Sequence, residues 1–417
     1  MDTSNIQLSI KLQPEYGWAI KNTPVFGPSS IVSGHVDLQI LNQEILSRID
    51  KIRIVFHGSE RMMNINTGSL IKRKQFFGTQ RTIWDSKHPQ KDLTVMNKHS
   101  FPFIIQLPNV QFPPSMDYPH YKCYYMVSVY IDEIENHINT RTSINPKETL
   151  QEYNQPIIFM PFIETCLFKT PLIQSIPPKP KKNNKKDHHQ QQQSIKLSTH
   201  ALDYVPGDSI KLDVTIPDYF YQSNNNNDSS TTTCVFSSMS LTLTQIVKSL
   251  NQVHQSTVST LKIPLVSSQS SSTSSSAFSF NPLKQQIELP LSSDLTPSIT
   301  YSDAISVNYS LHVQFHENKL KLSSFFSSSS SDHYHLTLPI RIGTLGYGIR
   351  PSEELQVYSI FRTSFENQEN DSRPSLPNPT FLQNVEYEDA LPVYEVDPQL
   401  PSYDSFISNY SPTPCVN

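Results

Sequence analysis

Two short peptides near the end of the chain carry residue types suited to binding a partner protein. Both read Leu-Pro-x-Tyr, at Leu391–Tyr394 and Leu400–Tyr403. Proline fixes φ near about −65° and biases the residue before it toward extended backbone, so each peptide is partly in the polyproline II form before binding. Aromatic-lined grooves recognise that form, and a separate pocket can take the tyrosine ring. The predicted binding residues are Leu391, Pro392, Tyr394, Leu400, Pro401 and Tyr403.

The two peptides stand close together in the sequence. Only residues 395–399 separate them, and a fully extended bridge of that length reaches under about 20 Å. We therefore expect one partner domain to choose between two adjacent sites, rather than two domains to bind at once.

A basic run lies in the middle of the chain, within residues 179–186. Three interpretations are open: a solvated linker, a patch that contacts anionic lipid, or a nuclear-import signal. Attraction to an anionic membrane is worth about 1 kcal/mol for each basic residue near the surface. The candidate lipid contacts are Lys179, Lys181, Lys182, Lys185 and Lys186.

Other short patterns in the last part of the chain compete with the Leu-Pro-x-Tyr interpretation. Tyr358–Phe361 and Tyr403–Phe406 have the spacing of clathrin-adaptor signals, in which a bulky apolar residue follows three positions after tyrosine. Such patterns are short and often occur by chance. Ser411–Pro414 offers two sites to proline-directed kinases, whose added negative charge would change adaptor contacts; an unmodified end is the alternative.

No catalytic, cofactor or metal motif is recognisable in the sequence. The sequence has no Gly-x-Ser-x-Gly elbow, no His-Glu-x-x-His, no Walker loop and no dinucleotide glycine pattern. Cys123 lies on an apolar run and is predicted to pack in a core, and Asp132-Glu133 is interpreted as a polar turn after a strand. The histidines at 188, 189, 333 and 335 do not complete a metal site. We therefore predict no enzyme, no cofactor and no metal.

Bulk composition narrows the class of protein further. The formal net charge of −4 indicates no nucleic-acid partner. The four scattered cysteines are typical of free thiols in a reducing compartment. No apolar run approaches the roughly 20 residues needed to cross a bilayer, so we expect a soluble, intracellular protein.

The elements that must position these peptides are predicted to be β-strands. Apolar and polar residues alternate in Ile6–Leu12, Val36–Ile40 and Ile52–Phe56, a period that places every second side chain in a core. Two sandwich domains are predicted, at residues 1–168 and 195–347, joined by a basic and Gln-rich linker at 169–194. Ser/Asn-rich inserts fall in loops of the second domain, and the proline-rich, acidic residues 348–417 are predicted to be a disordered tail.

The two predicted domains are weak copies of each other. Similar strings recur at similar intervals in both halves, which indicates tandem sandwiches of one type. In the first half the strings are Ile31–Leu38 with Gly34, Phe101–Pro108, Pro113–Ser115 and the aromatic strand Tyr124–Ile131. In the second half they are Tyr204–Val214, Ile287–Pro290, Thr296–Ser298, Ile305–Val313 and Leu338–Thr344.

Together these strings resemble the arrestin fold, and within it the α-arrestins, or arrestin-related trafficking adaptors. Leu338–Thr344 looks like the closing strand of an arrestin C-terminal domain and is the most specific of the set. The resemblance implies an all-β chain with two tandem immunoglobulin-type β-sandwiches. No counterpart of the buried charged cluster of visual and β-arrestins is identified in the sequence, which favours the α-arrestin branch.

The resemblance to α-arrestins also implies a partner for the tail, because Leu-Pro-x-Tyr motifs in that family bind WW domains of Nedd4-type HECT ubiquitin ligases. We accordingly expect a cytoplasmic adaptor that is recruited to the plasma membrane or endosomes. There it would bring the ligase to membrane transporters or receptors, so that they are ubiquitylated and endocytosed. The alternative is an arrestin-fold sorting scaffold of a retromer-like type that works without a ubiquitin ligase.

Overall fold

The computed structural model describes ten stretches of the 417-residue chain. They are residues 5–13, 19–87, 93–134, 149–177, 194–217, 220–226, 229–265, 283–317, 334–363 and 372–383, with only the backbone described over 221–234.

The first domain is a sandwich of two β-sheets whose strands are mostly antiparallel. Its strands are β1 Ile6–Gln13, β2 Ala19–Ile20, β3 Thr23–Phe26, β4 Ile31–Ile40, β5 Ile49–Met63, β6 Leu70–Asp85, β7 Lys98–Gln106, β8 Val110–Gln111, β9 Met116–Tyr118, β10 Tyr121–Glu133 and β11 Thr149–Phe159. One sheet contains β1, β4 and β7, and the other has the order β2-β3-β11-β10-β5-β6 with β9 beside β10. A single helical turn, α1 Gln43–Leu46, follows β4 and is capped by the Asn42 side chain.

Alternating burial explains why these segments form strands that face a common core. In β4 every second residue from Val32 to Ile40 is buried, and β5 buries Ile52, Ile54 and Phe56 in the same way. The aromatic strand β10 adds Tyr121 and Tyr125, among the largest fully buried side chains described. Removing this much apolar and aromatic surface from water stabilises the sandwich at roughly 25 cal/mol per Å².

The second domain repeats the arrangement. Its strands are β12 Leu172–Ile176, β13 Ile195–Thr199, β14 Asp203–Tyr204, β15 Ser209–Ile216, β16 Tyr221–Asn226, β17 Ser229–Cys234, β18 Phe236–Ser249, β19 Gln252–Pro264, β20 Leu283–Pro290, β21 Ile305–Glu317 and β22 His335–Ile342. One sheet has the order β12-β13-β15-β20 and the other β14-β22-β21-β18-β19, while β16 and β17 form a separate hairpin.

Strand order confirms the repeat that the sequence predicts. The larger sheets run β3-β11-β10-β5-β6 in the first domain and β14-β22-β21-β18-β19 in the second, and the smaller ones share the orders β1-β4-β7 and β13-β15-β20. Each larger sheet also contains a parallel pair of strands at the matching place, β3 with β11 in the first domain and β14 with β22 in the second. The predicted all-β class with two tandem sandwiches is therefore confirmed.

Defined structure continues past both edges of the predicted second domain. β12 lies in the range predicted as linker, yet it pairs with β13 over five residues. Beyond residue 347, where the sequence predicts a tail, the chain forms β23 Gln356–Val357, a 3₁₀ turn at Tyr358–Ile360 and β24 Thr380–Leu382. β23 pairs with β8, and β24 pairs with β7, so both lie on the first domain.

The predicted polar turn at Asp132-Glu133 is wrong. Both residues belong to β10, and Asp132 is fully buried. Arg53 on β5 donates to both carboxylate oxygens of Asp132, at 2.6 and 2.8 Å. This paired charge compensates the burial of the carboxylate, a possibility that the apolar–polar pattern alone does not reveal.

Candidate functional site

The residues predicted to bind partners lie outside the described part of the chain. The two Leu-Pro-x-Tyr peptides follow residue 383, and the lysines of the basic run fall between residues 177 and 194. Both sets therefore stay predictions. The structure does describe the two-domain body and the path by which the chain leaves it.

The connection between the domains is fixed by the residues that follow β22. The backbone N–H of Ile163 donates to Thr344 Oγ1 at 2.8 Å, and the N–H groups of Thr344 and Leu345 donate to the Ile163 carbonyl at 2.9 and 3.0 Å. Gly343 permits this close approach, because a Cβ atom there would lie 2.6 Å from Thr165 Cγ2. The most specific string of the sequence, Leu338–Thr344, therefore ends where the connection between the domains packs.

Further hydrogen bonds join the two domains, among them those of Tyr118, Gln252 and Tyr301. The Tyr301 hydroxyl of the second domain donates to the Phe112 carbonyl of the first at 2.9 Å. The Gln252 side chain accepts from the Ile65 N–H at 2.8 Å and donates to the Met63 carbonyl at 3.2 Å. Contacts at these places restrict rigid-body motion between the sandwiches.

The chain then runs back from the second domain to the first through residues 349–363 and 372–383, here called the return segment. Arg350 holds its beginning, since Nη1 donates to the Thr165 carbonyl at 2.9 Å and Nε lies 3.4 Å from Glu164 Oε2. The N–H of Gln356 next donates to the Asn109 carbonyl at 3.2 Å, which starts the pairing of β23 with β8.

Tyr358 anchors the return segment in the first domain. Only 3% of its surface is exposed. Its ring meets Phe76 edge-on at 5.2 Å between centroids, and Phe112 at 6.2 Å. Its hydroxyl shares a hydrogen bond of 2.7 Å with Ser302 Oγ of the second domain. Because the ring packs on one domain and the hydroxyl binds the other, this side chain clamps all three parts together.

The burial of Tyr358 bears on the clathrin-adaptor pattern at Tyr358–Phe361. Recognition of such a signal requires an accessible tyrosine, whereas Tyr358 and Phe361 are 3% and 5% exposed. The structure thus assigns both side chains to packing. The second copy of the pattern, Tyr403–Phe406, lies outside the described residues.

Beside Tyr358 lies a buried carboxyl group that the sequence analysis missed. Glu60 is 1% exposed, and the Tyr121 hydroxyl donates to its Oε2 at 2.6 Å. Burial raises the pKa of Glu60, while the bond from Tyr121 and the positive charge of Lys74 act in the opposite direction. The local signal was its position, because Glu60 falls in phase with the buried alternate residues of β5 from Ile52 to Met62.

Cys123 packs in the core, as the sequence predicts, and lies near this carboxyl group. It is buried, and its thiol donates to the Tyr125 hydroxyl at 3.5 Å. Burial raises the pKa of the Cys123 thiol, so the nucleophilic thiolate is suppressed.

A pair of histidines meets across the two domains. His120, between β9 and β10, is 1% exposed, and its ring lies 6.0 Å from that of His254 on β19. Neither ring nitrogen of His120 has a hydrogen-bond partner among the described residues. Burial, and then the proximity of His254, lower the pKa of His120, which favours the neutral ring at this contact.

An open cleft of about 1050 Å³ lies between the connection and the second domain. Gln111, Asp203, Arg341 and Arg350 are among its polar lining residues. Within the described ranges, no group of three or more His, Cys, Asp or Glu side chains is arranged to hold a metal ion. None of the described helices has the length and apolar character that a membrane crossing requires.

The shared strand order defines the described chain as a protein of two tandem β-sandwiches. Comparison with protein families agrees, because residues 18–145 match the arrestin (or S-antigen) N-terminal domain. The first domain therefore has the arrestin fold, whose members are non-enzymatic adaptors. No curated protein matches the chain.

Proposed function

We propose that this chain is an α-arrestin-like adaptor that recruits a Nedd4-type HECT ubiquitin ligase to membrane cargo through its Leu-Pro-x-Tyr motifs. The observation that carries the proposal is the combination of an arrestin-fold body with two such motifs shortly after its last described strand. Leu391–Tyr394 begins nine positions after Leu382, the end of β24. The mechanism is proximity, since an adaptor that holds ligase and cargo together raises the concentration of ligase near cargo lysines.

Binding of isolated WW domains from a Nedd4-type ligase to the full chain tests the role of the tail. Because the two motifs are equivalent and compete for one domain, Tyr394→Ala or Tyr403→Ala alone should weaken apparent binding by about twofold. The double variant should lose binding altogether. Tyr410→Ala is the matched control, since it removes a tail tyrosine that no Leu-Pro pair precedes, and it should bind as the unaltered chain does.

Undiminished WW binding by the double variant would contradict the proposal and would favour a sorting scaffold that works without a ligase. Co-purification from cells would then reveal a stable multi-subunit coat that survives the loss of both tyrosines.

Recruitment to membranes is the second part of the proposal, with the five lysines from Lys179 to Lys186 as contacts for anionic lipid. Each contributes about 1 kcal/mol near a charged surface, so changing all five to glutamine should abolish sedimentation with phosphatidylserine vesicles. Vesicles of neutral phosphatidylcholine are the control. Equal sedimentation of the variant and the unaltered chain would show that the run is only a solvated linker.

A further inference from the structure

The last described strand closes an edge of the first domain. β24 pairs antiparallel with β7, with Thr380 opposite Gln106, Phe381 opposite Ile105 and Leu382 opposite Ile104. It extends the sheet of β1, β4 and β7 by one strand. An added strand of this kind gains its affinity from main-chain hydrogen bonds and its specificity from alternate side chains.

Side chains hold this strand from both sides of the sheet edge. Phe381 packs partly buried against the core, whereas its neighbour Thr380 is exposed. Arg81 of β6 reaches over and donates from Nη1 to the Leu382 carbonyl at 2.8 Å. The docked end of the return segment is therefore tied to the larger sheet as well as to β7.

The residues just before β24 are attached too. Leu376 is 3% exposed, and its N–H donates to the Arg362 carbonyl at 2.9 Å. The N–H of Arg362 donates to the Pro374 carbonyl at 3.0 Å. These bonds join the two described parts of the return segment to each other, while Tyr358 and β24 attach the segment to the first domain.

We infer that this docking sets the origin of the Leu-Pro-x-Tyr tether on the first domain, at the edge of β7, and so brings a bound WW domain beside that domain. The inference rests on the proposed function of the motifs. Residues 383–390 separate Leu382 from Leu391, and nine extended steps span at most about 30 Å. The region within reach of the first motif is therefore the neighbourhood of β7 and β6.

The effect of docking on the concentration of a bound partner near the first domain depends on the length of the tether. With β24 undocked and Leu376 still held by Arg362, the tether would begin after Leu376 and contain 15 steps to Leu391 instead of nine, with a maximal span of about 50 Å. For the disordered tail that the composition predicts, the effective concentration falls with about the −3/2 power of tether length. Docking thus raises the concentration of a bound partner near the first domain about twofold.

Spin labels on the full chain measure the tether directly. One label is placed on the exposed start of β7 through Lys98→Cys, and the other just before the first motif through Glu388→Cys. Cys166, Cys234 and Cys415 are changed to serine. Buried Cys123 stays. Double electron–electron resonance should give a narrow distribution of short distances, because only six steps separate Leu382 from residue 388, about 20 Å when extended.

The adjacent positions of β24 supply a matched pair of variants. Phe381→Asp places a charge on the packed side and should undock the strand, so that the distance distribution broadens and lengthens and amide exchange at residues 104–106 accelerates. Thr380→Asp adds the same charge on the exposed side and should leave both readouts unchanged. WW binding should persist in both variants, since neither change touches a motif.

A broad distribution of long distances in the unaltered chain would overturn the inference. The inference would also fail if the Phe381→Asp variant showed fast amide exchange at residues 104–106 but kept the distance distribution of the unaltered chain. Failure of the proposed function looks different. In that case no WW domain binds either variant or the unaltered chain, while the distances and the exchange rates still report the docking of β24.

Discussion

Tyr358 offers the most direct test of how the return segment is held. Replacing it with alanine removes a ring that is almost fully buried among Phe76 and Phe112, and also the hydrogen bond to Ser302 Oγ. Truncation of a buried aromatic side chain to alanine typically costs about 3–5 kcal/mol. If this loss lowers the free energy of local opening of the return segment, 3 kcal/mol increases the population of the open state by roughly 100-fold.

Native-state hydrogen exchange reads this population through particular amides. The N–H of Gln356 donates to Asn109 and that of Phe361 to Tyr358, so both should exchange roughly 100-fold faster in Tyr358→Ala. Tyr358→Phe keeps the ring and loses only the hydroxyl, a cost of about 0.5–1.5 kcal/mol. Its exchange should rise by only about 2- to 10-fold.

The amides of β10 serve as the internal reference, because they lie in the centre of the larger sheet of the first domain. They should keep their protection in both variants. Unchanged exchange at Gln356 and Phe361 in the alanine variant would refute the clamp. Equal loss of protection in β10 would also refute it, since Tyr358 would then be an ordinary part of one cooperative core.

Three further changes test other contacts. Asp132→Asn leaves Arg53 facing a neutral amide in a buried site and should lower the free energy of unfolding in urea by about 3–5 kcal/mol; a loss under 1 kcal/mol would show that the ion pair is dispensable. Gly34→Ala brings a methyl group against the β1 backbone and should reduce the melting temperature by several degrees. Ser33→Ala, at the neighbouring half-buried position, should leave the melting temperature unchanged. The pKa of His120 lies below its value in the unfolded chain, so the unfolded state takes up the proton first and stability should fall as pH drops below about 6.5; His120→Phe, which also removes the contact between the two histidine rings, should show a smaller fall in urea titrations at pH 7.5 and 5.5.

Several features of the fold followed from the sequence because they depend on local periodicity. Alternation in Ile6–Leu12 and Ile52–Phe56 marks β1 and the centre of β5, since side chains on a strand point to opposite faces by turns. The recurrence of similar strings at similar intervals predicts the shared strand order of the two domains.

The tail motifs also depend on sequence alone. Leu391–Tyr394 and Leu400–Tyr403 are defined by residue type and spacing, and proline presets their conformation without any help from a tertiary fold. Their role as binding sites stays a prediction that the WW-domain measurements test.

Only the tertiary structure decided where the chain goes after the second domain. β24 has three residues, too few for periodicity to identify, and its partner strand β7 lies more than 270 residues earlier in the chain. Tyr358 fits a sorting signal by sequence and a buried anchor by structure, and Asp132 fits a turn by sequence and an ion pair by structure. In each instance the outcome depends on which distant side chains surround the residue, because burial and pairing are properties of the assembled sheets and not of the local pattern.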